Sequence, residues 1–304
     1  MLFLALAKEY AGVCLFNKYT YKRTIGVADI FIKRSGVTRL VEIDLKALTR
    51  FKGETLKEAK PITFNGHLKY LRLIGEYAVR LGYMESNPFK LLPLAPIGAI
   101  PPKTIELDHI TELNDDLRAE TAKHQQGWFW SAVIETFYFT GMRRRQLVSL
   151  KMKDLDFKRN LIRLTYEGSK THREWEIPMH PKLKPTLRHL VTKTEIILRR
   201  KLKASDYVFR APDLFPRYVA EDNGQMKPES ITGFFKRLSK RKRILVGAHR
   251  FRHTVATELC NPPDSNPDLF AVQELLGHAN INTTRGYVNT KLRSIGRVLD
   301  SLHL

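Results

Sequence analysis

Four prolines, at positions 93, 96, 101 and 102, crowd together with Gly98 into the stretch from Leu91 to Lys103. Each fixes its own backbone angle and removes an amide donor, so neither a helix nor an interior strand runs through this stretch. The chain is therefore expected to fold as two bodies: residues 1–92, a linker at 93–103, and residues 104–304. At 304 residues it is long enough to give each a core.

The first body reads as helices. Apolar residues recur at helical spacing in Val27, Ile30 and Phe31, and in Val41, Leu45, Leu48 and Phe51. Thr63 and Asn65 are placed to open an amphipathic helix from His67 that ends near Gly82. The apolar start, Met1 to Ala7, lacks a basic flank and is broken by Lys8 and Glu9, which fits a buried helix better than a signal peptide.

The second body begins with a helix from Ile105 to Leu113. An aromatic helix follows, Trp128 to Phe139, apolar on every side and so expected in the core. Thr140-Gly141 ends it, because glycine adopts a left-handed turn cheaply, and sets Arg143 in the first turn of the next helix. Leu161–Tyr166 and Trp175–Ile177 read as two strands joined by a polar tip holding Lys170, with Asp156–Asn160 a turn before them. A helix is expected from Pro181 to about Lys203, and another after a Ser230 cap, burying Ile231, Phe234, Phe235 and Leu238. The fold class is thus mainly α with a small β-hairpin, an α+β second domain behind a helical first one.

Lys and Arg together number 52 against 31 Asp and Glu, a net charge of +21, which points to a polyanionic partner. No apolar run approaches the length that spans a bilayer. Cys14 and Cys260, the only cysteines, form no disulfide or zinc pattern and suit a reducing cytoplasm. Cationic candidates for phosphate contact are Lys69 and Arg72 in the first body, Arg144 and Arg145 after the glycine turn, and the run Lys240, Arg241, Lys242 and Arg243.

The last quarter carries the chemistry. His249 and Arg252 share one face at the start of a helix, with Phe251, Val255 and Leu259 packing the other side. A helix from Pro267 ends at Leu276-Gly277-His278. Thr283 and Thr284 are placed to cap a short helix that carries Tyr287. Fork-shaped cations, an imidazole and a hydroxyl are what a phosphodiester transition state needs. Singly, each has a bland reading: a buried histidine, a surface arginine, a core tyrosine. The set argues otherwise.

These motifs resemble the tyrosine recombinase (phage-type integrase) family. His249-x-x-Arg252, Gly277-His278 and Tyr287 look like its second box, its Leu-Gly-His and its nucleophile. Thr140-Gly141-Met142-Arg143, continuing to Gln146-Leu147, looks like its first box, and Lys170 falls at its hairpin lysine. Gln146 departs from the pattern, standing where an acidic residue is usual.

The resemblance implies a two-domain C-shaped DNA clamp with a helical core-binding domain at 1–92. It implies catalysis by Arg143, Lys170, His249, Arg252, His278 and the nucleophile Tyr287. Arg143, Arg252 and His278 would hold the phosphate, His249 would take the tyrosine proton or bond the phosphate, and Lys170 would protonate the 5′ oxygen. Strands would be cut and rejoined through a 3′-phosphotyrosyl link, with no cofactor, ATP or metal. The implied partner is double-stranded DNA with inverted-repeat core sites. A homotetramer would assemble on synapsed DNA from a free monomer or weak dimer, in a prokaryotic cytoplasm at the nucleoid. The segment after Lys291, with Ile295, Val298, Leu299 and Leu302 on one face, would dock on a neighbour or on its own body. A type IB topoisomerase and a non-catalytic DNA-binding regulator of the same fold stay open as alternatives.

Overall fold

A computed structural model of the chain describes residues 1–16, 18–98, 101–124, 126–168, 173–220, 224–263 and 266–288. The chain divides into two compact units, Met1–Ile100 and Pro101–Leu304. Among the described residues no helix is long and apolar enough to cross a membrane.

The first unit is built from α1 (Phe3–Val13), α2 (Lys18–Ser35), α3 (Leu45–Glu58) and α4 (Pro61–Arg80). Phe3, Phe31, Phe51, Phe64 and Phe89 are fully buried. Phe31 stands edge-on to Phe3, Phe51 and Phe89 at 5.1, 5.3 and 5.2 Å, the offset that ring quadrupoles favour. Two expectations shift here. α4 opens at Pro61 rather than at Thr63 or Asn65, since proline at the first helical position has no amide left unsatisfied. Asn65 instead clasps the backbone of Ala95, accepting from its N–H at 2.8 Å and donating to its carbonyl at 2.9 Å. Leu92 and Ala95 are buried with this core, so the proline stretch begins anchored. Leu48 and Phe51 are buried as their spacing requires, but Val41 and Leu45 are exposed. The helix begins only at Leu45, where Asp44 caps the Ala47 amide at 2.7 Å.

The second unit opens with α5 (Leu107–His124) and α6 (Gly127–Thr140), followed by α7 (Arg144–Ser149). α6 is buried on nearly every side, and Trp130 stacks on Phe234 at 3.8 Å. β1 (Leu155–Asp156), β2 (Leu161–Leu164) and β3 (Trp175–Pro178) form an antiparallel sheet in that order, with Ile162 opposite both Leu155 and Ile177. The pattern showed two strands; the third comes from residues just before the turn, and two residues are too few to show a period. Lys170 lies outside the described residues, as does the segment after Lys291.

The remaining helices are α8 (Leu183–Leu198), α9 (Ala211–Leu214), α10 (Pro228–Lys242), α11 (Ala248–Cys260), α12 (Leu269–Leu276) and α13 (Ile281–Arg285). α8 stops short of Lys203, with Arg199 left-handed at φ 50°. α10 starts at Pro228, not after Ser230, for the same reason as α4; its expected apolar face is buried. α12 and α13 are capped by Asp268 and Asn280 rather than by Pro267 or the two threonines.

Candidate active site

Two left-handed glycines bring the motifs together. Gly141, at φ +59°, ends α6, and a side chain there would strike Leu276. Gly277, at φ +63°, ends α12, and an added Cβ would clash with the Trp175 ring. A residue with a side chain would meet both backbone strain and a clash at each corner. Trp175 also donates its indole N–H to the Leu275 carbonyl at 3.3 Å, so the β3 end of the hairpin is tied to this corner.

Arg252 joins the two corners. It is buried, and its guanidinium donates to the Gly141 carbonyl at 2.9 Å and the Leu276 carbonyl at 2.7 Å. Arg143, the cap residue before α7 rather than part of its first turn, donates to the Gly277 carbonyl at 3.4 Å. Its Nη1 is buried and has no hydrogen-bond partner. Burial and the neighbouring Arg143 push Arg252 down to about 10, which leaves it a cation at neutral pH. Among the described residues no carboxylate pairs with either arginine.

Gln146 explains how the departure from the family pattern is tolerated. Its Oε1 accepts the Arg143 N–H at 2.8 Å, the backbone duty a carboxylate would perform, while its buried Nε2 has no partner. The cap is kept, and no negative charge is brought beside Arg143.

His278 is buried, with Nδ1 3.0 Å from the Thr284 hydroxyl. Burial, then Arg252 and Arg143, hold its pKa down to about 4, so the ring is neutral. Tyr287 is buried, its ring parallel to His278 at 6.2 Å between centroids. Burial raises the phenol pKa, and Arg252 acts in the opposite direction. The phenol's hydrogen bond goes to His253 Nδ1 at 2.8 Å, not to His249. His249 is exposed one turn earlier on α11, its ring 5.5 Å from that of His253.

The structure therefore gathers Arg143, Arg252, His278 and Tyr287, keeps His249 within electrostatic reach of both arginines with its ring 5.5 Å from that of His253, and leaves Lys170 outside the described residues. From the sequence His253 has no assigned role, Thr284 reads only as a helix cap and Trp175 only as a strand residue. His253 carried one readable signal: it follows His249 by four residues, and so shares its helix face.

The outlying cations differ in their surroundings. Lys69, Arg145, Lys240, Arg241 and Arg243 are exposed, and Arg144 reaches the Thr232 hydroxyl. Lys242 turns toward Glu112 and Asp116 of α5. Arg72 is half-buried and donates to the carbonyls of Phe89 and Leu92, so it clips the backbone of its own unit. Leu259, expected to pack beneath α11, is exposed, while Phe251 and Val255 are buried.

A family model described as the phage integrase family matches residues 103–293. Two curated relatives carry the name "Putative tyrosine recombinase XerC". The one from Pseudomonas syringae is 33% identical over 294 residues, covering 93% of this chain. The one from Pseudomonas aeruginosa is 27% identical over 313 residues, covering 98% of this chain and 71% of the relative. The chain spans 60% of the length of the first. Among solved structures, the Tn1549 transposon integrase in complex with transposon right end DNA superposes with a TM-score of 0.76 at 18% identity, over 99% of both chains. A lambda integrase dimer bound to a core site gives 0.69 at 16% identity, over all of this chain and 81% of that one. At these identities the likeness is one of fold.

Proposed function

The chain belongs to the phage integrase, or tyrosine recombinase, family, and from that premise we propose that it cleaves and rejoins DNA at specific sites through a 3′-phosphotyrosyl link on Tyr287. The observation that carries this reading is a buried Arg252 beside a half-buried Arg143, neither paired with a carboxylate among the described residues, set next to a buried phenol and a neutral imidazole. Burying cations without counter-ions is costly. A phosphate between them offsets that cost.

A guanidinium has five N–H donors. Arg252 gives two to carbonyls, leaving others for a non-bridging oxygen. Arg143 has its buried, unpartnered Nη1 for another. If the Thr284 hydroxyl donates to Nδ1 of His278, the ring holds its proton on Nε2 and can donate to the phosphate as a neutral group. Donors fixed in advance stabilise the charge that develops as the phenol attacks. Lys170, by resemblance, protonates the departing 5′ oxygen. The phosphotyrosyl bond conserves the energy of the broken phosphodiester, so a free 5′-hydroxyl reverses the step and exchanges strands.

Double-stranded DNA with inverted core repeats is the proposed partner, consistent with the net charge of +21. The solved lambda integrase structures include a dimer on a core site and a tetramer on a Holliday junction. Paired copies on one site and four on two synapsed duplexes are proposed here, with the first unit as a DNA-binding domain.

The test uses a nicked duplex that loses its 5′-hydroxyl fragment after cleavage, at a target first located by footprinting. Wild type should trap a covalent adduct, and Tyr287→Phe should bind equally well and trap none. Adducts from the phenylalanine variant would overturn the assignment. Lys170→Ala should cleave slowly, and a sulfur leaving group at the 5′ position should restore it. Relaxation of supercoils without exchange between two sites would turn the reading toward a topoisomerase.

A further inference from the structure

The phenol of Tyr287 needs more than a phosphate to attack; its proton must go somewhere. Its surroundings raise its pKa, so it is not ionised spontaneously at neutral pH. Of the three imidazoles nearby, His249 is exposed with its ring next to that of His253, and His278 has Nδ1 occupied by Thr284. The third, His253, already holds the phenolic oxygen at 2.8 Å through Nδ1, inside the distance a proton transfer requires.

We propose that His253, one residue beyond the His249-x-x-Arg252 box, is the catalytic group that takes the phenolic proton as Tyr287 attacks, and returns it when the strand is rejoined. This rests on the reading of Tyr287 as the nucleophile. In the forward step the Tyr287 O–H bond breaks, its proton moves to Nδ1, and the phenolic oxygen bonds to phosphorus. The bond from phosphorus to the 5′ oxygen breaks, and that oxygen takes a separate proton from Lys170. His253 begins as the tautomer with its proton on Nε2 and becomes an imidazolium.

Three features of the fold support the assignment. α11 carries Arg252 and His253 as adjacent residues, so one rigid helix sets both the phosphate grip and the base. The Tyr287 carbonyl is held by the Asn261 side chain at 2.8 Å, also from the end of α11, which fixes the phenol against the same helix. Burial first, then His249, Arg252 and Arg250, keep the His253 pKa below its ordinary value, so the ring is free to accept a proton near neutral pH.

The experiment measures single-turnover cleavage of the nicked duplex by wild type and by His253→Gln. Glutamine can still hydrogen-bond the phenol but cannot hold its proton. DNA binding should be unchanged and cleavage slowed by on the order of 10²-fold, the lower end of what general base catalysis contributes. Placing at position 287 a fluorinated tyrosine whose phenol ionises near neutral pH should recover most of that loss while changing wild type little. A variant that cleaves at the wild-type rate, or whose defect the fluorinated tyrosine leaves untouched, overturns the proposal. If the glutamine variant fails to bind DNA, His253→Ala with added imidazole reads the same transfer: rescue supports it, and no rescue at intact binding overturns it. Should wild type itself trap no adduct, the nucleophile reading has failed, and with it the premise.

Discussion

Arg210 and Arg252 lie at the same depth in the second unit, 6% and 5% exposed, yet their surroundings are opposite in charge. Arg210 is paired with Asp206 at 3.0 Å and with Asp213, and Asp206 is further held by Arg200 at 2.6 Å. Arg252 meets two carbonyls and a second arginine, and burial first, then that arginine, press its pKa down to about 10. A buried cation surrounded by carboxylates is complete as it stands, and its role is structural. One held only by carbonyl dipoles beside another cation is completed by an anion from outside. Within a single unit, the contrast separates a scaffold arginine from the one proposed to grip the phosphate, though both read alike as basic residues among apolar ones.

Removing each arginine should break the comparison in a different observable. Arg252→Ala has the largest expected effect. Single-turnover cleavage should fall by about 10²–10³-fold, the usual cost of one preorganised donor, while the two corner carbonyls lose their donor at a cost of about 1–3 kcal/mol in denaturant unfolding. Arg210→Met should instead cost about 3–5 kcal/mol of stability, because it strands Asp213 and leaves Asp206 with Arg200 alone. Cleavage per folded molecule should be unchanged; a slowed rate in the folded fraction would merge the two classes.

His278 sharpens the same contrast through pH. Its folded pKa lies near 4, below the ordinary histidine value of about 6.5. As pH falls from 6.5 toward 4 the unfolded chain takes up a proton that the folded chain refuses, so stability is lost across that window and not above it. The loss reaches up to about 3 kcal/mol at its acid end. Unfolding curves at pH 7 and pH 4.5 should show a smaller acid penalty in His278→Asn than in wild type; equal penalties would mean that burial and the two arginines do not hold the His278 pKa down.

The smallest effects are expected in the first unit. Arg72→Ala should cost about 1 kcal/mol through its lost carbonyl bonds and leave the salt dependence of DNA binding alone. The exposed Lys69→Ala should keep stability and reduce the slope of log K against log salt by about 0.9. A reversed pattern would make Arg72 the phosphate contact.

These examples show what was legible in the sequence. The Gly141 and Gly277 corners could be read, because a left-handed turn at the end of an apolar helix leaves glycine as the favoured residue. The buried faces of α6 and α10 followed from periodicity. Helix starts at Pro61 and Pro228 were missed in favour of polar caps a few residues on, since Thr63 and Ser230 resemble caps and only the tertiary path shows them inside the helix. Arg72 and Lys69 are indistinguishable in a pattern; the difference is that Phe89 and Leu92 fold back over one of them. His253 was overshadowed by its neighbours. Its contact depends on where α13 delivers Tyr287, 34 residues later, and no local spacing encodes that.

The central claim is that the arginine pair is there to neutralise the scissile phosphate, and changing the charge of that phosphate tests it most directly. A cleavage site carrying a neutral methylphosphonate in place of the phosphate should be cut by Arg252→Ala far faster than the natural site, because the negative charge that the arginine offsets has been removed. If Arg252→Ala is as inactive on the neutral linkage as on the charged one, Arg252 is a backbone clip like Arg72, and the phosphate-gripping role falls.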